Sequence, residues 1–188
     1  MTAEHYEGHL GKALVYEDTI PLDYTPVDAQ SATVITPSQS ISNFRVLNML
    51  WLMQDSTHEV PDEFSALEPT LLRMESKLDL LVELLGQYVC QDMNLPEPRQ
   101  VKISSQSLQW DATESMTVGS RLQVKCYLIP HLPLPLVLNG LVSVVEAAGD
   151  GYRLTLSVDG LDESSAELLE KIIFRNHRRA IARQRQQT

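Results

Sequence analysis

Arginines are concentrated near the end of the chain, in a pattern that could bind phosphate. Five of them fall within the eleven positions from 175 to 185: Arg175, Arg178, Arg179, Arg183 and Arg185. Lys171 lies just upstream, and no acidic side chain follows Glu170. The forked guanidinium group matches the geometry of phosphate oxygens, so this segment could contact a phosphodiester or a nucleic acid. The alternative is structural, because cations late in a helix complement its dipole and pair with acidic residues elsewhere in the chain.

The chain lacks the short motifs of common catalytic sites. It contains no GxxxxGK[ST], GxGxxG, GxSxG or HExxH. His5 and His9 stand four residues apart but have no third metal ligand nearby. The serines at 104, 105 and 107 have no neighbouring base. We therefore expect a protein that is not an enzyme and that binds no metal ion and no cofactor.

Charge is distributed unevenly between the two halves of the chain. The 188 residues carry a formal net charge of −10. Residues 1–100 hold 16 acidic and 5 basic side chains, whereas residues 101–188 hold 9 acidic and 10 basic ones. A uniformly basic nucleic-acid-binding protein is therefore excluded, and we expect no nucleic-acid partner. The hydrophobic share of 43% is that of an ordinary globular protein.

Cysteine content and hydropathy indicate a cytoplasmic protein. Cys90 and Cys126 are too few for a disulfide framework or a structural zinc site, so we expect two reduced thiols in the core. The N-terminal residues have neither the basic start nor the apolar run of a signal peptide. The most apolar stretch, Val46–Met53, is too short to span a bilayer. The sequence therefore predicts a soluble protein in the cytoplasm, without a membrane partner.

The strongest periodic signal is a heptad pattern in the middle of the chain. Apolar residues recur at alternating steps of three and four at Phe64, Leu67, Leu71, Met74, Leu78, Leu81, Leu85 and Tyr88. The pattern predicts a helix over Pro69–Asp92 that self-associates through its a and d positions. Further apolar residues lie at b, c, e and g positions, so other helices or strands must pack on more than one side of this helix. The alternative is a core helix within a monomer.

The residues before this helix predict one strand and one helix. Alternation across residues 19–27 predicts a strand, which Pro21 and Pro26 would confine to an edge. Residues 28–40 read as a polar connection, and the helical spacing of 41–54 predicts a helix with Ser42 or Asn43 as its N-cap.

After residue 94 the composition changes to short strands with regular turn signals. The predicted strands are Gln100–Ser104, Leu108–Asp111, Arg121–Ile129, Leu136–Ala147 and Tyr152–Val158, which favour a small antiparallel barrel. A helix from Asp162 to about Arg183 follows. The predicted fold class is thus α+β. We expect an N-terminal assembly region, residues 1–93, and a barrel with a basic C-terminal helix, residues 94–188.

Six segments together form a pattern that extends over most of the chain: LRMESKLDLLVELLGQYV, VKISSQSLQW, VGSRLQVKCYL, PLPLVLNGLVSVV, YRLTLSVDGLDE and LLEKIIFRNHRRAIARQR. This pattern resembles the bacterial PilZ domain. The chain is most similar to the atypical, tetrameric branch, in which a heptad-repeat helix precedes the barrel. The resemblance covers Leu71 to Arg185, and the opening residues also look like the N-terminus of such proteins. It implies a PilZ-like barrel, a homo-oligomer that is a tetramer, and a role in cyclic di-GMP signalling.

The ligand motifs of the PilZ family are only partly present. The family binds cyclic di-GMP through an RxxxR before the barrel and a [D/N]xSxxG on an early strand. The second motif falls on Lys102, Ser104 and Ser107, so only its serine is kept, and Arg99 is the single arginine before the barrel. The RxxxR spacing does occur on the terminal helix, at Arg175 with Arg179 and at Arg179 with Arg183. The candidate ligand-binding residues are therefore Arg99, Ser104, Arg175, Arg178, Arg179 and Arg183.

The resemblance and these departures together imply a non-enzymatic signalling adaptor in cyclic di-GMP-linked regulation of motility or biofilm formation. It would act through oligomerisation and through contacts with an unidentified protein partner. One alternative is a true cyclic di-GMP receptor that combines arginines of the terminal helix with Ser104 in a non-standard site. Another is a phosphate-binding or nucleic-acid-binding protein with a basic tail.

Overall fold

The alternation of apolar and polar residues in the second half of the chain produces the strands that the sequence predicts. The computed structural model describes residues 15–27, 36–54, 68–91, 94–129, 132 and 134–186. Within these ranges the elements are β1 (Tyr16–Pro26), α1 (Pro37–Gln54), α2 (Glu68–Gln91), β2 (Pro98–Ile103), β3 (Ser107–Ala112), β4 (Arg121–Cys126), β5 (Leu136–Ala148), β6 (Gly151–Asp159) and α3 (Glu163–Gln186). The predicted α+β fold with an antiparallel barrel is confirmed.

The strands form a closed barrel in the order β1-β2-β3-β6-β5-β4, with every neighbouring pair antiparallel. In β4, for example, Leu122, Val124 and Cys126 point into the barrel, while the intervening residues are only partly buried. This two-residue period follows from the pleat, which sends successive side chains to opposite faces. One barrel face is therefore apolar and the other is polar.

Strand β1 closes the barrel, so the prediction of an edge strand is wrong. Its first half, Tyr16–Pro21, pairs with β2, and its second half, Leu22–Pro26, pairs with β4. Pro21 lies where the strand changes its neighbour and Pro26 lies at its end, which are positions where a missing N–H costs least. The prolines therefore mark the changeover and the end of β1, and they do not keep it at an edge.

Helix α1 begins earlier than predicted. Thr36 caps it, with its hydroxyl accepting a hydrogen bond from the backbone N–H of Gln39 at 3.3 Å, and Pro37 occupies the first helical position. The prediction of Ser42 or Asn43 as N-cap is therefore wrong, as is the prediction of a connection over 37–40. Residues 28–35 of that connection lie outside the described residues.

Asn43 instead fastens α1 to the barrel. It is fully buried, and its amide donates to the Val137 carbonyl at 2.8 Å while its carbonyl accepts from the Val137 N–H at 2.9 Å. Val137 precedes the part of β5 that pairs with β6, which begins at Asn139. The Asn43 side chain thus forms hydrogen bonds with a residue of β5 that precedes its pairing with β6.

Helix α3 starts at a capped N-terminus that also contacts α1. The carboxylate of Asp162 accepts the Ser165 backbone N–H at 3.0 Å and the Ser40 hydroxyl at 2.7 Å. Burial alone would raise the pKa of Asp162, but these hydrogen bonds outweigh it and lower the pKa below its ordinary value. Asp162 is therefore the cap of α3 and a link between two helices.

A single hydrophobic cluster joins the barrel to α1 and α3. It includes Ile20 and Leu22 of β1, Val46, Leu47 and Leu50 of α1, the inward residues of the other strands, and Leu169, Ile172 and Ile173 of α3. Strand β1 is thus part of the barrel and helix α1 packs on it, although both precede residue 94. The division of the chain at residues 93 and 94 stays a prediction.

Candidate functional site: the exposed seam of α2 and the cationic groove of α3

Helix α2 presents its apolar residues to solvent in the single chain. Its bounds, Glu68–Gln91, agree with the predicted helix except that Asp92 lies outside the described residues, as do Phe64 and Leu67. The a and d side chains are 48–71% exposed: Leu71, Met74, Leu78, Leu81, Leu85 and Tyr88. Every position of α2 whose exposure the structure describes is exposed, with the exception of Gly86. Within the described residues, therefore, no other element covers this seam.

The seam is wider than a pair of helices would cover. Val82 and Val89 stand at e positions and Leu84 stands at a g position, and all three are exposed. In a two-stranded coil the e and g positions form the polar rim, whereas in bundles of more helices they become part of the buried surface. The residue pattern of α2 thus favours a bundle of more than two helices.

A cationic groove lies on α3 beside the end of α1. It has a volume of about 490 Å³, and its lining is Trp51, Lys171, Phe174, Arg175, Arg178, Arg179 and Ala182. Four of these seven residues are cationic, two are aromatic and none is acidic. Such a surface attracts an anion and offers flat rings for stacking.

Two of the candidate arginines also hold α1 in place. The guanidinium carbon of Arg175 lies 3.4 Å from the centre of the Trp51 ring, and its Nη1 donates to the Trp51 carbonyl at 3.4 Å. Arg179 Nη2 donates to the Gln54 carbonyl. Carbonyls in the last turn of a helix have no partner within the helix, so the two arginines, four residues apart, cap the C-terminus of α1. The RxxxR spacing of Arg175 and Arg179 therefore has a structural role.

Arg178 differs from these two arginines in its contacts. Its guanidinium carbon lies 5.8 Å from the ring of Phe174 on the preceding turn, and both residues are exposed. Lys171, on the same side of the helix, pairs with Glu167 at 2.8 Å. The side chain of Arg183 lies outside the described residues.

The structure places Arg99 and Ser104 on a different part of the molecule. Arg99 stands in β2, where its Nη1 donates to the Asp111 carbonyl at 2.9 Å, and its guanidinium carbon lies 5.8 Å from the Tyr24 ring. Ser104 is buried in the β2–β3 turn, where its hydroxyl accepts the Ser107 N–H at 2.9 Å and lies 2.7 Å from the Ser107 hydroxyl. In the described contacts neither residue meets an arginine of α3.

An ion pair lies where the sequence comparison aligns the second ligand motif of the resembled family. Lys102 stands where that motif has a short acidic or amide side chain, and its Nζ pairs with Glu17 of β1 at 2.9 Å. Beside it on the sheet, Arg153 pairs with Asp111 at 2.9 Å. These pairs link β1 to β2 and β3 to β6 on the outer face of the barrel.

The remaining candidate groups form no site in the described part of the chain. Cys126 is fully buried in β4, and burial raises the pKa of its thiol to about 12, as expected of a core cysteine. The side chain of Cys90 and the residues His5 and His9 lie outside the described residues. Among the residues that are described, no three His, Cys, Asp or Glu side chains gather as metal ligands. None of the described helices is both long enough and apolar enough to cross a bilayer.

Sequence reasoning missed the aromatic part of the groove. Trp51 reads as one more apolar residue of α1, and Phe174 is noticed only as the single aromatic residue of the basic tail, so the pairing of the two rings is not predicted. Their common position results from the packing of α1 on α3, which joins residues about 120 positions apart. The available signal was the large number of apolar residues on α1, which exceeds what one buried face needs.

Comparison with known families settles the classification. A model of the atypical PilZ domain, described as a cyclic di-GMP receptor and named tPilZ, matches residues 47–186. The chain belongs to the atypical PilZ domain family. The predicted resemblance is thereby confirmed, and the match connects this PilZ protein with cyclic di-GMP signalling.

The fold of this PilZ protein is also similar to that of a solved structure. A pathogenic protein from Xanthomonas campestris is described as a new tetrameric PilZ domain, self-assembled via an unusual helical bundle. It matches with a TM-score of 0.71 and 23% identity over 92% of each chain. No curated protein matches the chain.

Proposed function

We propose that the protein is a non-catalytic, cytoplasmic signalling adaptor in cyclic di-GMP-linked regulation of motility or biofilm formation. It assembles into a homotetramer through α2 and acts by binding another protein. The observation that carries the proposal is the uncovered a/d seam of α2. Support comes from the family match and from the tetrameric bundle described for the similar Xanthomonas campestris protein.

The exposed leucines of the seam supply the driving force for assembly. Burial of one leucine side chain contributes about 1.5–3 kcal/mol, and α2 carries four at its a and d positions: Leu71, Leu78, Leu81 and Leu85. Each chain loses translational and rotational freedom on association, and several leucines per helix are needed to offset this cost. A bundle of four such helices buries the e and g residues as well, whereas a pair of helices leaves them exposed to solvent.

Introduction of a charge into the apolar seam tests the assembly. Leu78→Asp places a carboxylate in the centre of the bundle, where its burial costs several kcal/mol, so light scattering should find the mass of a single chain. Gln87→Asp is the control, since position 87 is exposed on the same helix outside the seam. An assembly that survives Leu78→Asp at micromolar concentration would contradict the role given to α2.

Capture from the native cell extract tests the adaptor role. The wild-type protein should retain a specific protein that the monomeric Leu78→Asp variant retains less strongly, because multivalent presentation raises avidity. Gln87→Asp should retain the same protein as the wild type. If the assembled and monomeric forms retain the same proteins in equal amounts, oligomerisation plays no part in partner binding.

A second candidate function, that of a cyclic di-GMP receptor, is favoured by the groove on α3. Its aromatic rings could stack on guanine bases, and Lys171, Arg178 and Arg179 could hold the phosphates. Ser104 has no described contact with this groove, so it would not join the same site.

Calorimetry separates the two candidates. A receptor should release or absorb heat with cyclic di-GMP at micromolar protein, and Arg178→Ala should weaken the binding about tenfold or more. Arg45→Ala, an exposed arginine of α1 that does not line the groove, should bind as the wild type does. Absence of heat up to about 1 mM cyclic di-GMP would exclude the receptor and leave the adaptor.

A further inference from the structure

Helix α3 carries an exposed row of residues with heptad spacing. Lys171, Phe174, Arg178 and Ile181 follow one another at steps of three, four and three, so they lie along one face of the helix. All four are exposed, and Phe174 shows 51% of its surface. The residues of α3 that face the core lie elsewhere on the helix: Leu169, Ile172 and Ile173. This row, the α3 row, therefore combines two cations with two large apolar side chains.

Helix α2 carries a second row beside its seam, with the same spacing. Leu72, Glu75, Asp79 and Val82 also follow at steps of three, four and three, at b and e positions. All four are exposed in the single chain. This row, the acidic flank, combines two carboxylates with two apolar side chains.

The opposite flank of α2 has the other charge. Its c and g positions hold Arg73, Lys77, Leu80 and Leu84, which are two cations and two leucines. A cationic row is attracted by the acidic flank and repelled by the basic one. Electrostatics thus distinguishes the two sides of α2 although both are partly apolar.

We propose that the α3 row packs on the acidic flank of α2 from a second copy of the chain. This inference rests on the proposed assembly through α2 and names the surface that covers the outside of the seam. With the two rows parallel and in the same register, Arg178 faces Asp79 and Ile181 lies against Val82, while Lys171 keeps its ion pair with Glu167 of its own helix. The contact then removes from water two surfaces that are both exposed in the single chain.

The outer face of α1 continues the same surface. Phe44 and Leu52 are 42% and 60% exposed, although α1 already buries its opposite face against the core. Arg45 is the single charged residue of this helix of 18 residues. A helix that is apolar on two sides is covered on both, so α1 extends the surface that α3 presents to the second copy.

A charge-swap experiment tests the contact. Arg178→Glu puts a carboxylate opposite the acidic flank and should raise the dissociation constant of the assembly about tenfold in analytical ultracentrifugation. Adding Asp79→Arg to the same chain restores an attractive pair and should return the constant to within about threefold of wild type. Gln87→Arg in place of Asp79→Arg adds a cation on the opposite flank and should not restore it. Circular dichroism of each variant checks that the fold is kept.

The outcomes separate this contact from the assembly itself. If Arg178→Glu associates as tightly as the wild type, or if Gln87→Arg restores assembly as well as Asp79→Arg does, the proposed contact is wrong while assembly through α2 stands. If the wild type is a single chain in solution, both the assembly and the contact are wrong.

Discussion

At the scale of single residues, Asn43 accounts for the position of α1 on the barrel. Its amide forms two hydrogen bonds with the backbone of Val137 in a buried place. Asn43→Ala leaves both backbone groups without these partners, and each unsatisfied buried group costs about 1–3 kcal/mol. We expect the free energy of unfolding in urea to fall by about 2–4 kcal/mol, measured at one protein concentration.

The control for this prediction lies on the same helix. Asn48 is exposed, so Asn48→Ala should change the free energy of unfolding by less than about 0.5 kcal/mol. Equal effects of the two substitutions would mean that the contact with Val137 does not stabilise the fold.

Asp162 gives the stability of the protein a dependence on pH. Because hydrogen bonds from Ser165 and Ser40 lower its pKa below the ordinary 3.8, the folded state holds this proton less tightly than the unfolded chain does. The resulting stabilisation is complete above the unfolded pKa and is lost as the pH falls through the lowered folded pKa. The wild type should therefore exceed Asp162→Asn in unfolding free energy at pH 7, and the difference should shrink below about pH 4.

Comparison with another carboxylate isolates this effect. Asp150→Asn, in the exposed β5–β6 turn, removes a carboxylate that caps no helix. A difference between wild type and Asp162→Asn that stays constant from pH 7 to about pH 3 would refute the assignment.

The chemistry of the site was only partly predictable at this scale. The cluster of arginines is local in sequence, so it could be found from the chain alone. The capping of α1 by Arg175 and Arg179 could not be predicted from the chain alone, because it depends on contact between two helices that are distant in sequence. The turn that buries Ser104 is local but uses a side-chain hydrogen bond that composition does not reveal.

At the scale of elements, the stability of α2 should depend on assembly. Helices that gain no packing are marginal in water even when they contain good helix formers, and α2 also carries Gly86 in its interior. Dilution that dissociates the assembly should therefore lower the helical signal at 222 nm, while the barrel remains folded.

The Leu78→Asp variant provides the reference for this measurement. It should show the reduced helical signal at every concentration, because it does not assemble. A helical signal of the wild type that is independent of concentration across the dissociation range would show that α2 is stable without a partner.

Elements with strict periodicity were predictable, and those governed by their neighbours were not. The alternation in β4 and the heptads of α2 gave the type of element and nearly its bounds. Strand β1 has the same alternation, but its two neighbours follow from barrel closure, which no local pattern records. The first residue of α1 could not be predicted, because Thr36 and Pro37 stand at the end of a polar segment that resembles a loop.

At the scale of the whole molecule, the uneven charge of the chain is consistent with the assembly. The acidic excess lies in residues 1–100, which include α2, and the cations that face outward on α3 lie in the other half. Opposite charges on separate surfaces of the chain attract each other when two copies meet. The same distribution makes α3 the described element to which an anionic ligand would be drawn.

The mass of the intact protein in solution tests the central claim most directly. Light scattering of the wild type at micromolar concentration should give about four times the chain mass of 21.1 kDa, because α2 buries its seam in a four-helix bundle. A mass of 21.1 kDa at the same concentration would contradict the account, since the exposed leucines of α2 would then have no partner.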